Sequence, residues 1–382
     1  HYGVEGCEAA TRFMRELTKM LGGGSTAGYL QTKWDGAPSV VCGIDPASGL
    51  FFVGNKSVFN KEEPKLCFTK TDIDHYYSDK PGLAEKLHAS LEYFKPLDIT
   101  GVIQGDLMFT EGDKKEETVE GNKLITFRAN TITYGIPVDH EIGKAVAKAK
   151  IGVVFHTHYS GSDLASMSAQ AGAEVKSSAD CVVIKNDTPI QDVAMNPSDF
   201  KKFEGNVQII EQMCKKSGDF LDELVQNAGT TGNKKFYVGS FVKTFFNAEI
   251  KASRTINDPK KALKSLGEFY HQKMNKEVSK MKSVQKQAER RKQLYDGLKY
   301  LEDNEQKFHA MFALYRKIQE SKQLVIDALD KLESFKTYVQ TENGYRVTAP
   351  EGYVLHHGGD MIKLVNRVEF SFINFTLDKS WK

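Results

Sequence analysis

The chain changes its sequence pattern twice, and these changes limit the folds that it can adopt. Residues 29–185 carry short β-rich runs separated by Gly, Asp, Asn and Pro, which predicts strands joined by turns. Residues 199–340 are rich in Lys, Glu, Gln, Leu and Ala and contain a single proline, Pro259, which predicts helices. The strand pattern returns over 345–375. We therefore expect an α+β fold with mostly antiparallel strands, interrupted by a helical block.

The helical block gives the expected domain boundaries. We predict one α+β domain from residues 1–198 and 341–382, with residues 199–340 as an all-helical, partly basic insertion domain. Apolar residues at helical spacing predict a first helix over 4–21, which the glycines at 22–24 end.

Composition excludes several classes of protein. The five cysteines are odd in number, widely spaced and form no C-x-x-C pair, so neither a zinc site nor a disulfide framework is predicted. No apolar run has the length of a membrane span, and we expect a cytoplasmic protein without a membrane partner. The numbering opens at His1 without an initiator Met, so a leading segment can precede it. The oligomeric state stays open.

A candidate nucleophile lies in Lys33-Trp34-Asp35-Gly36, between two predicted strands. A lysine in a packed, partly desolvated position can have a lowered pKa, which frees a neutral amine for attack. A motif of this length taken by itself fits a solvated turn better. Its interpretation therefore depends on the motifs that follow.

Five further motifs follow Lys33 along the chain. They are Gly54-Asn55-Lys56, Gln104-Gly105-Asp106-Leu107, Thr133-Tyr134-Gly135-Ile136, Glu351-Gly352-Tyr353-Val354 and Ile362-Lys363-Leu364-Val365-Asn366. Their order resembles the covalent nucleotidyltransferase superfamily of ATP-dependent DNA ligases, RNA ligases and mRNA capping enzymes. The resemblance covers the chain outside the helical block, and K-x-D-G, E-G-x-V and I-K-x-x-N are its most specific parts. The K-W-D-G-A-P and Q-G-D-L-M-F stretches are similar to ligase-like proteins of tailed phages.

The resemblance implies a nucleotidyltransferase domain with ATP-grasp-like antiparallel sheets and the activity of an ATP-dependent polynucleotide ligase. Lys33 would attack ATP and carry AMP as a phosphoramidate, AMP would pass to a 5′-phosphate, and a 3′-hydroxyl would displace it. The chain after Lys363 is too short for the OB-fold that the resembled DNA ligases and capping enzymes append, which favours an RNA ligase-like enzyme. A phage-encoded enzyme would act in the cytoplasm of the infected host cell.

The resemblance also implies roles for single residues. Gly36 would let the backbone approach the nucleotide, and Asp106, in place of the family's glutamate, would accept a hydrogen bond from the ribose. Tyr134 would stack on the adenine. Glu351 would hold Mg²⁺ or Mn²⁺, directly or through water, and Lys363 would neutralise the α-phosphate during attack.

The sequence departs from the family pattern at three positions. Gln31 stands where many ligases have an acidic residue, although its amide could still read the adenine edge. Pro38 replaces the usual Arg or Asn, and Val365 replaces a second lysine. Lys56 or Arg367 could supply the missing charge. These departures leave open how the phosphates and ribose are held.

Two other motifs suggest sites that we do not favour. His156 and His158 alternate along a strand and could suggest a metal pair, but no Asp or Cys cluster accompanies them. We expect these side chains on the solvent or nucleotide side of the strand. The glycine-rich run at 22–26 lacks the G-K-S/T ending of a P-loop.

Basic residues concentrate in one part of the helical block. The net charge of +2 is close to balanced, so attraction to nucleic acid requires such local clusters. Within 273–292 only Glu277 and Glu289 interleave with the basic residues. A solvated helix face is the alternative interpretation. The residues that we predict to contact RNA or DNA are Lys276, Lys280, Lys286 and Arg290. Such contacts would be salt-sensitive and independent of base sequence.

The sequence leaves other functions open. An ATP-dependent DNA ligase acting on nicks is one alternative, and an enzyme of the same superfamily that transfers AMP or GMP to another acceptor is the second. A third, from a different class, is a non-catalytic nucleic-acid-binding or phage structural protein that retains the fold. The joint presence of Lys33, Glu351 and Lys363 argues against the third alternative.

Overall fold

A computed structural model describes residues 2–24, 28–119, 121–185, 195–332, 336–341, 344–347, 352–357 and 360–365. They divide into two compact units. The helical unit consists of the described residues within His1–Gly28, Ile190–Lys331 and Leu364–Phe375, and the sheet unit of those within Tyr29–Pro189 and Leu332–Lys363.

The regular elements follow the two sequence patterns described above, one typical of strands and one typical of helices. The α-helices are α1 (Gly3–Leu21), α2 (Lys70–Tyr77), α3 (Pro81–Phe94), α4 (Glu141–Lys148), α5 (Pro197–Gln226), α6 (Val238–Lys251), α7 (Pro259–Ser279), α8 (Val284–Asp303) and α9 (Glu305–Leu329). The strands are β1 (Tyr29–Lys33), β2 (Ser39–Ile44), β3 (Phe51–Gly54), β4 (Val102–Thr110), β5 (Lys114–Val119), β6 (Asn122–Arg128), β7 (Thr133–Pro137), β8 (Ile151–Ser160), β9 (Ser168–Ala171), β10 (Cys181–Val183), β11 (Lys336–Thr341), β12 (Gly344–Val347), β13 (Gly352–His357) and β14 (Asp360–Leu364).

The strands of the described residues form three sheets. One has the order β1-β13-β14, the second β10-β8-β4-β2-β3 with β9 paired to β8, and the third β12-β11-β7-β6-β5. The pairing of β10 with β8 is parallel, and the pairings of β1 with β13, β2 with β4 and β4 with β8 are antiparallel. The predicted α+β class is thereby confirmed.

Alternation along β4 and β8 separates a core face from a polar face. Ile103 and Leu107 of β4 and Phe155 of β8 join the buried cluster that α2 and α3 cover. Phe155 packs against Phe94 of α3, with ring centres 5.4 Å apart. Because successive side chains of a strand point to opposite faces, the residues between these positions, such as Asp106, lie on the other face of the sheet.

Helix α1 belongs to the helical unit, which corrects the predicted boundary at residue 1. Two hydrogen bonds join α1 to α5. The backbone N–H of Val4 donates to Asp222 Oδ1 at 2.8 Å, and Arg15 Nε donates to Glu211 Oε1 at 2.5 Å. The end of the predicted helical block at 340 is also wrong, because β11 pairs with β7 in the third sheet. The apolar spacing of α1 predicted the helix correctly but could not name its partner.

The basic stretch of the helical unit is divided between two helices. Helix α7 ends at Ser279 and α8 begins at Val284, whose side chain is 81% exposed. Met274 and Val278 on α7 and Leu294 on α8 are buried. No helix among the described residues is long and apolar enough to cross a membrane.

Glu320 of α9 pairs with one lysine of α5 and with one lysine of its own helix. Its Oε1 lies 2.9 Å from Lys202 Nζ of α5, and its Oε2 lies 2.9 Å from Lys317 Nζ. Hydrogen bonds from Lys202 and then Lys317 lower the pKa of Glu320 to about 2. The ionised carboxylate is therefore the form that the folded protein stabilises.

We expect Glu320→Gln to lower the free energy of unfolding at pH 7 by about 1 kcal/mol. Because the folded-state pKa lies below the unfolded value, this stabilisation is complete above the ordinary glutamate pKa and is lost as the pH falls towards 2. Urea denaturation at pH 7 and pH 3 should therefore show a smaller difference from wild type at the lower pH. Glu302→Gln, an exposed position on α8, serves as the control. An equal loss at both pH values would contradict this assignment.

Candidate functional site

A cleft of about 430 Å³ lies within the sheet unit. The first two sheets supply most of its lining, and their residues come from β1, β4, β8, β9, β13 and β14. The polar and aromatic residues that line it include Gln31, Lys33, Trp34, Lys56, Gln104, Asp106, His156, Tyr159, His356 and Lys363. Its volume is in the range of small-molecule and cofactor sites.

Five of the predicted nucleotide contacts meet in this cleft. They are Gln31, Lys33, Lys56, Asp106 and Lys363. The cleft has three lysines and one carboxylate among its described lining residues, which favours an anionic ligand. Lys56 and Lys363 form no ion pair with a described residue, so their charges are available to phosphate groups.

Strand pairing sets the surroundings of Lys33. In the register of β1 and β13, Lys33 lies opposite Gly352 and Gln31 lies opposite Val354. Directly opposed residues of an antiparallel pair project to the same side. Gly352 therefore places no side chain beside the stem of Lys33, and its φ of 130° is one that a glycine adopts without strain.

Asp35 anchors the chain immediately after Lys33. Its side chain is buried, and its carboxylate accepts hydrogen bonds from Asn130 Nδ2 at 2.9 Å and from the backbone N–H of Ile132 at 3.0 Å. Thr131 donates from its backbone N–H at 2.8 Å and from Oγ1 at 2.6 Å. The aspartate of the K-x-D-G motif thus has a structural role here, as it fixes the turn that presents Lys33.

Protein packing requires a glycine at position 36. A Cβ at this position would lie 2.7 Å from Asp106 Cβ and 2.9 Å from the carbonyl oxygen of Leu107. The next residue, Ala37, donates its N–H to that carbonyl at 2.8 Å. The glycine therefore allows close approach to β4, and its role beside the nucleotide stays a prediction.

The structure does not support stacking of Tyr134 on adenine. Its ring is 2% exposed and lies 5.7 Å from that of Phe127, and its hydroxyl accepts the backbone N–H of Asp35 at 2.8 Å. Trp34, whose ring centre lies 5.2 Å from that of Tyr134, lines the cleft in its place. Trp34 directly follows Lys33 in the sequence, but the resemblance to the family pointed to Tyr134 as the stacking residue.

Sequence reasoning missed His356, which pairs with Gln31. The ring of His356 stacks on Tyr29, with ring centres 4.6 Å apart and planes 10° apart, and its Nε2 lies 2.9 Å from Gln31 Oε1. Burial lowers the pKa of His356, which favours the neutral imidazole. The amide Nε2 of Gln31 is buried and has no hydrogen-bond acceptor among the described residues.

Strands β4 and β8 supply the part of the cleft lining that contains Asp106. His156 Nε2 lies 3.4 Å from Asp106 Oδ2, and Gln104 bridges Ser39 and Tyr159. His156 faces the cleft as expected, whereas His158 contacts the carbonyl oxygen of Gly172 at 2.8 Å and Gln170 at 2.7 Å. Within the described ranges, no group of three or more His, Cys, Asp or Glu is arranged to hold a metal ion.

Some predicted site residues cannot be placed. Glu351, the expected metal ligand, lies outside the described residues, as does Arg367. The residues that follow Glu351 lie in β13, where Tyr353 is buried.

The predicted nucleic-acid contacts differ in their surroundings. Lys276, Lys280 and Lys286 are exposed, and Lys280 pairs with Glu277 at 2.7 Å. Arg290 is half-buried, because its guanidinium packs 3.0 Å from the ring centre of Phe236. Desolvation lowers the pKa of Arg290. Arg290 therefore packs inside the helical unit, and its contact to a phosphate stays a prediction.

Comparison with known proteins identifies a family. A model described as a family of unknown function (DUF6267) matches residues 1–379. The chain belongs to this family. Neither a curated protein nor a solved structure matches the chain. The family match includes the cleft residues of both β1 and β14.

We expect Asp35→Ala to destabilise the protein by about 3 kcal/mol, because buried donors of residues 130–132 lose their acceptor. Urea denaturation followed by circular dichroism measures this loss. Asp139→Ala, at an exposed position, is the matched control and should change stability by less than about 0.5 kcal/mol. Similar stability of the two variants would show that Asp35 does not anchor the turn.

Proposed function

We propose that this chain is an ATP-dependent nucleotidyltransferase of the RNA ligase type that works through a covalent lysyl-AMP. The observation that carries this proposal is the position of Lys33, which lines one cleft together with Lys56, Lys363 and Asp106. A nucleophile, further cations and a carboxylate are the groups that phosphoryl transfer requires. The resemblance of the K-x-D-G and I-K-x-x-N motifs to ligases supports the same chemistry.

The first step would join Lys33 to AMP. The neutral Nζ attacks the α-phosphorus of ATP, the N–P bond forms, and the bond to the bridging oxygen breaks to release pyrophosphate. The amine loses a proton in this step. Lys363 and Lys56 would offset the negative charge on the phosphates, and this interaction strengthens as charge develops in the transition state.

Later steps would transfer the nucleotide to a polynucleotide. An oxygen of a terminal 5′-phosphate attacks the phosphorus of the lysyl-AMP, which breaks the N–P bond and returns Lys33 to its amine form. A 3′-hydroxyl then attacks the 5′-phosphorus, and AMP leaves as the strand is sealed.

We also propose that a divalent cation enters the cleft together with the nucleotide. Mg²⁺ in such sites usually binds one or two carboxylates together with substrate phosphates, and Mn²⁺ accepts the same oxygen ligands. Asp106 faces the cleft, and Glu351 is the ligand that the family resemblance implies. When bound, the cation would compensate phosphate charge during transfer.

Exposed lysines of the helical unit are the proposed contacts to the nucleic acid backbone. Lys276, Lys280 and Lys286 remain candidates because their side chains are exposed. Phosphate contacts of this kind hold a strand in place without reading its bases. RNA ends, DNA ends and nicks are all compatible with them.

We expect the wild-type chain to gain the mass of one AMP when it is incubated with ATP and Mg²⁺. Lys33→Ala should gain none because the nucleophile is missing, and Lys33→Arg should gain none because a guanidinium stays protonated. Lys144→Ala, at an exposed position on α4, should behave as wild type. Intact-protein mass spectrometry, followed by peptide mapping, measures the adduct and its position.

The same experiment separates the alternatives. Absence of any adduct with every nucleoside triphosphate would contradict the proposal and favour a non-catalytic binding protein. An adduct without strand joining, tested on nicked DNA, nicked RNA, hybrid duplexes and single strands, would indicate transfer to another acceptor. Joining of nicked DNA alone would identify a DNA ligase.

We expect Lys276→Ala and Lys286→Ala each to weaken single-stranded RNA binding and to reduce the slope of log affinity against log salt by about 1. The loss should be similar for unrelated sequences, because a phosphate contact carries no base information. Fluorescence anisotropy across a series of NaCl concentrations measures the slope. Lys148→Ala, exposed on α4, is the control, and an unchanged slope in both test variants would exclude this surface.

A further inference from the structure

We propose that Cys7 and Cys214 form a thiol pair that a hydroperoxide converts reversibly into a disulfide between α1 and α5. The two residues are far apart in the sequence and lie on neighbouring helices of the helical unit. Neither residue is among the described residues that line the cleft containing Lys33. This inference therefore does not depend on the proposed function.

Helices α1 and α5 approach each other closely one turn away from the two cysteines. A Cβ on Gly218 of α5 would lie 2.8 Å from Val4 Cγ2 of α1. The backbone N–H of Val4 also donates to Asp222 Oδ1, one turn further along α5. A disulfide requires Cα atoms within about 7 Å of each other, and close packing of two helices favours this separation.

A hydrogen bond joins the side chains of Cys7 and Cys214. It lowers the pKa of Cys7, whereas the same bond and then burial raise the pKa of Cys214. A donor beside a thiolate stabilises its charge, so Cys214 keeps its proton and Cys7 is the thiol that ionises more readily. The thiolate is the nucleophilic form of cysteine, which makes Cys7 the attacking sulfur.

Access distinguishes this pair from the other three cysteines. Cys7 is 7% and Cys214 9% exposed, whereas Cys42, Cys67 and Cys181 are each 0% exposed. Cys7 also lines a groove of about 520 Å³ within the helical unit, which gives a small oxidant a path to its sulfur. Burial raises the pKa of each of the other three thiols, which keeps them protonated and unreactive.

The first step of the oxidation forms a sulfenic acid on Cys7. Its Sγ attacks one oxygen of the hydroperoxide, the S–O bond forms, and the O–O bond breaks. The departing oxygen takes up the proton that Cys7 has lost and leaves as an alcohol, or as water when the oxidant is hydrogen peroxide.

The second step forms the disulfide. Cys214 Sγ attacks Cys7 Sγ, the S–S bond forms, and the S–O bond breaks. The hydroxyl group leaves as water together with the proton of Cys214. The two sulfurs together lose two electrons, and the peroxide gains two. A thiol reductant reverses the change by exchange, and until then α1 stays covalently attached to α5.

Mass spectrometry of the full-length chain tests the pair. The reduced protein is treated with hydrogen peroxide, its remaining thiols are blocked with N-ethylmaleimide after denaturation, and peptides are mapped without reduction. All five cysteines are free thiols before treatment. We expect oxidation to remove two of these five from the blocked set and to link the peptides of Cys7 and Cys214. Dithiothreitol should restore all five thiols.

Two variants separate the attacking sulfur from the resolving one. Cys214→Ser keeps a hydroxyl donor beside Cys7 but removes the second sulfur, so the sulfenic acid should persist and dimedone should label Cys7. Cys7→Ser should give neither a cross-link nor a dimedone label. Cys181→Ala, a change in the core of the sheet unit, is the control and should form the same cross-link as wild type. Circular dichroism checks that each variant is folded.

The peptide map of the wild-type chain decides the proposal even if a variant does not fold. Five blocked thiols after peroxide treatment would overturn it, as would a disulfide between two chains or between other cysteines. A dimedone label on Cys214 in Cys7→Ser would overturn the assignment of Cys7 as the attacking sulfur. None of these results changes the test of the AMP adduct on Lys33.

Discussion

The buried carboxylate of Asp35 is the interaction on which the cleft depends. A carboxylate removed from water is costly unless its oxygens accept hydrogen bonds, and residues 130–132 satisfy them. Displacement of the turn is therefore unfavourable, because it would leave the buried carboxylate without its hydrogen-bond donors. The lysine two residues earlier is consequently held at the end of a short, fixed strand.

The class of the fold could be predicted from periodicity alone. The runs that became β2, β4 and β8 are apolar and β-branched, and the long Lys- and Glu-rich block became helices, as these residue types favour. Strand β5 has no apolar signal of its own, because its sequence, KKEETV, is mostly charged and fits the edge of its sheet. The spacing of apolar residues predicts which face of a helix or strand is buried. It does not predict which other element packs against that face.

Long-range pairing explains the errors at the site. His356 and Gln31 are separated by 325 positions, and they meet only because β13 pairs with β1. No local signal marks a histidine as the partner of a distant amide. The aromatic residue of the cleft was predicted wrongly for a similar reason. The motif pointed to Tyr134, but Tyr134 is buried and Trp34 lines the cleft. Lys33, Lys56, Asp106 and Lys363 were expected at one site because their order along the chain resembles that of a known family, and all four line the cleft.

The short length of β1 has a mechanical consequence. The strand has five residues, and each of them is paired with a residue of β13. Lys33 is its last residue, and the buried side chain of Asp35 follows two positions later. The backbone on both sides of this lysine is therefore restrained, so its amine moves mainly by rotation about the bonds of its own long side chain.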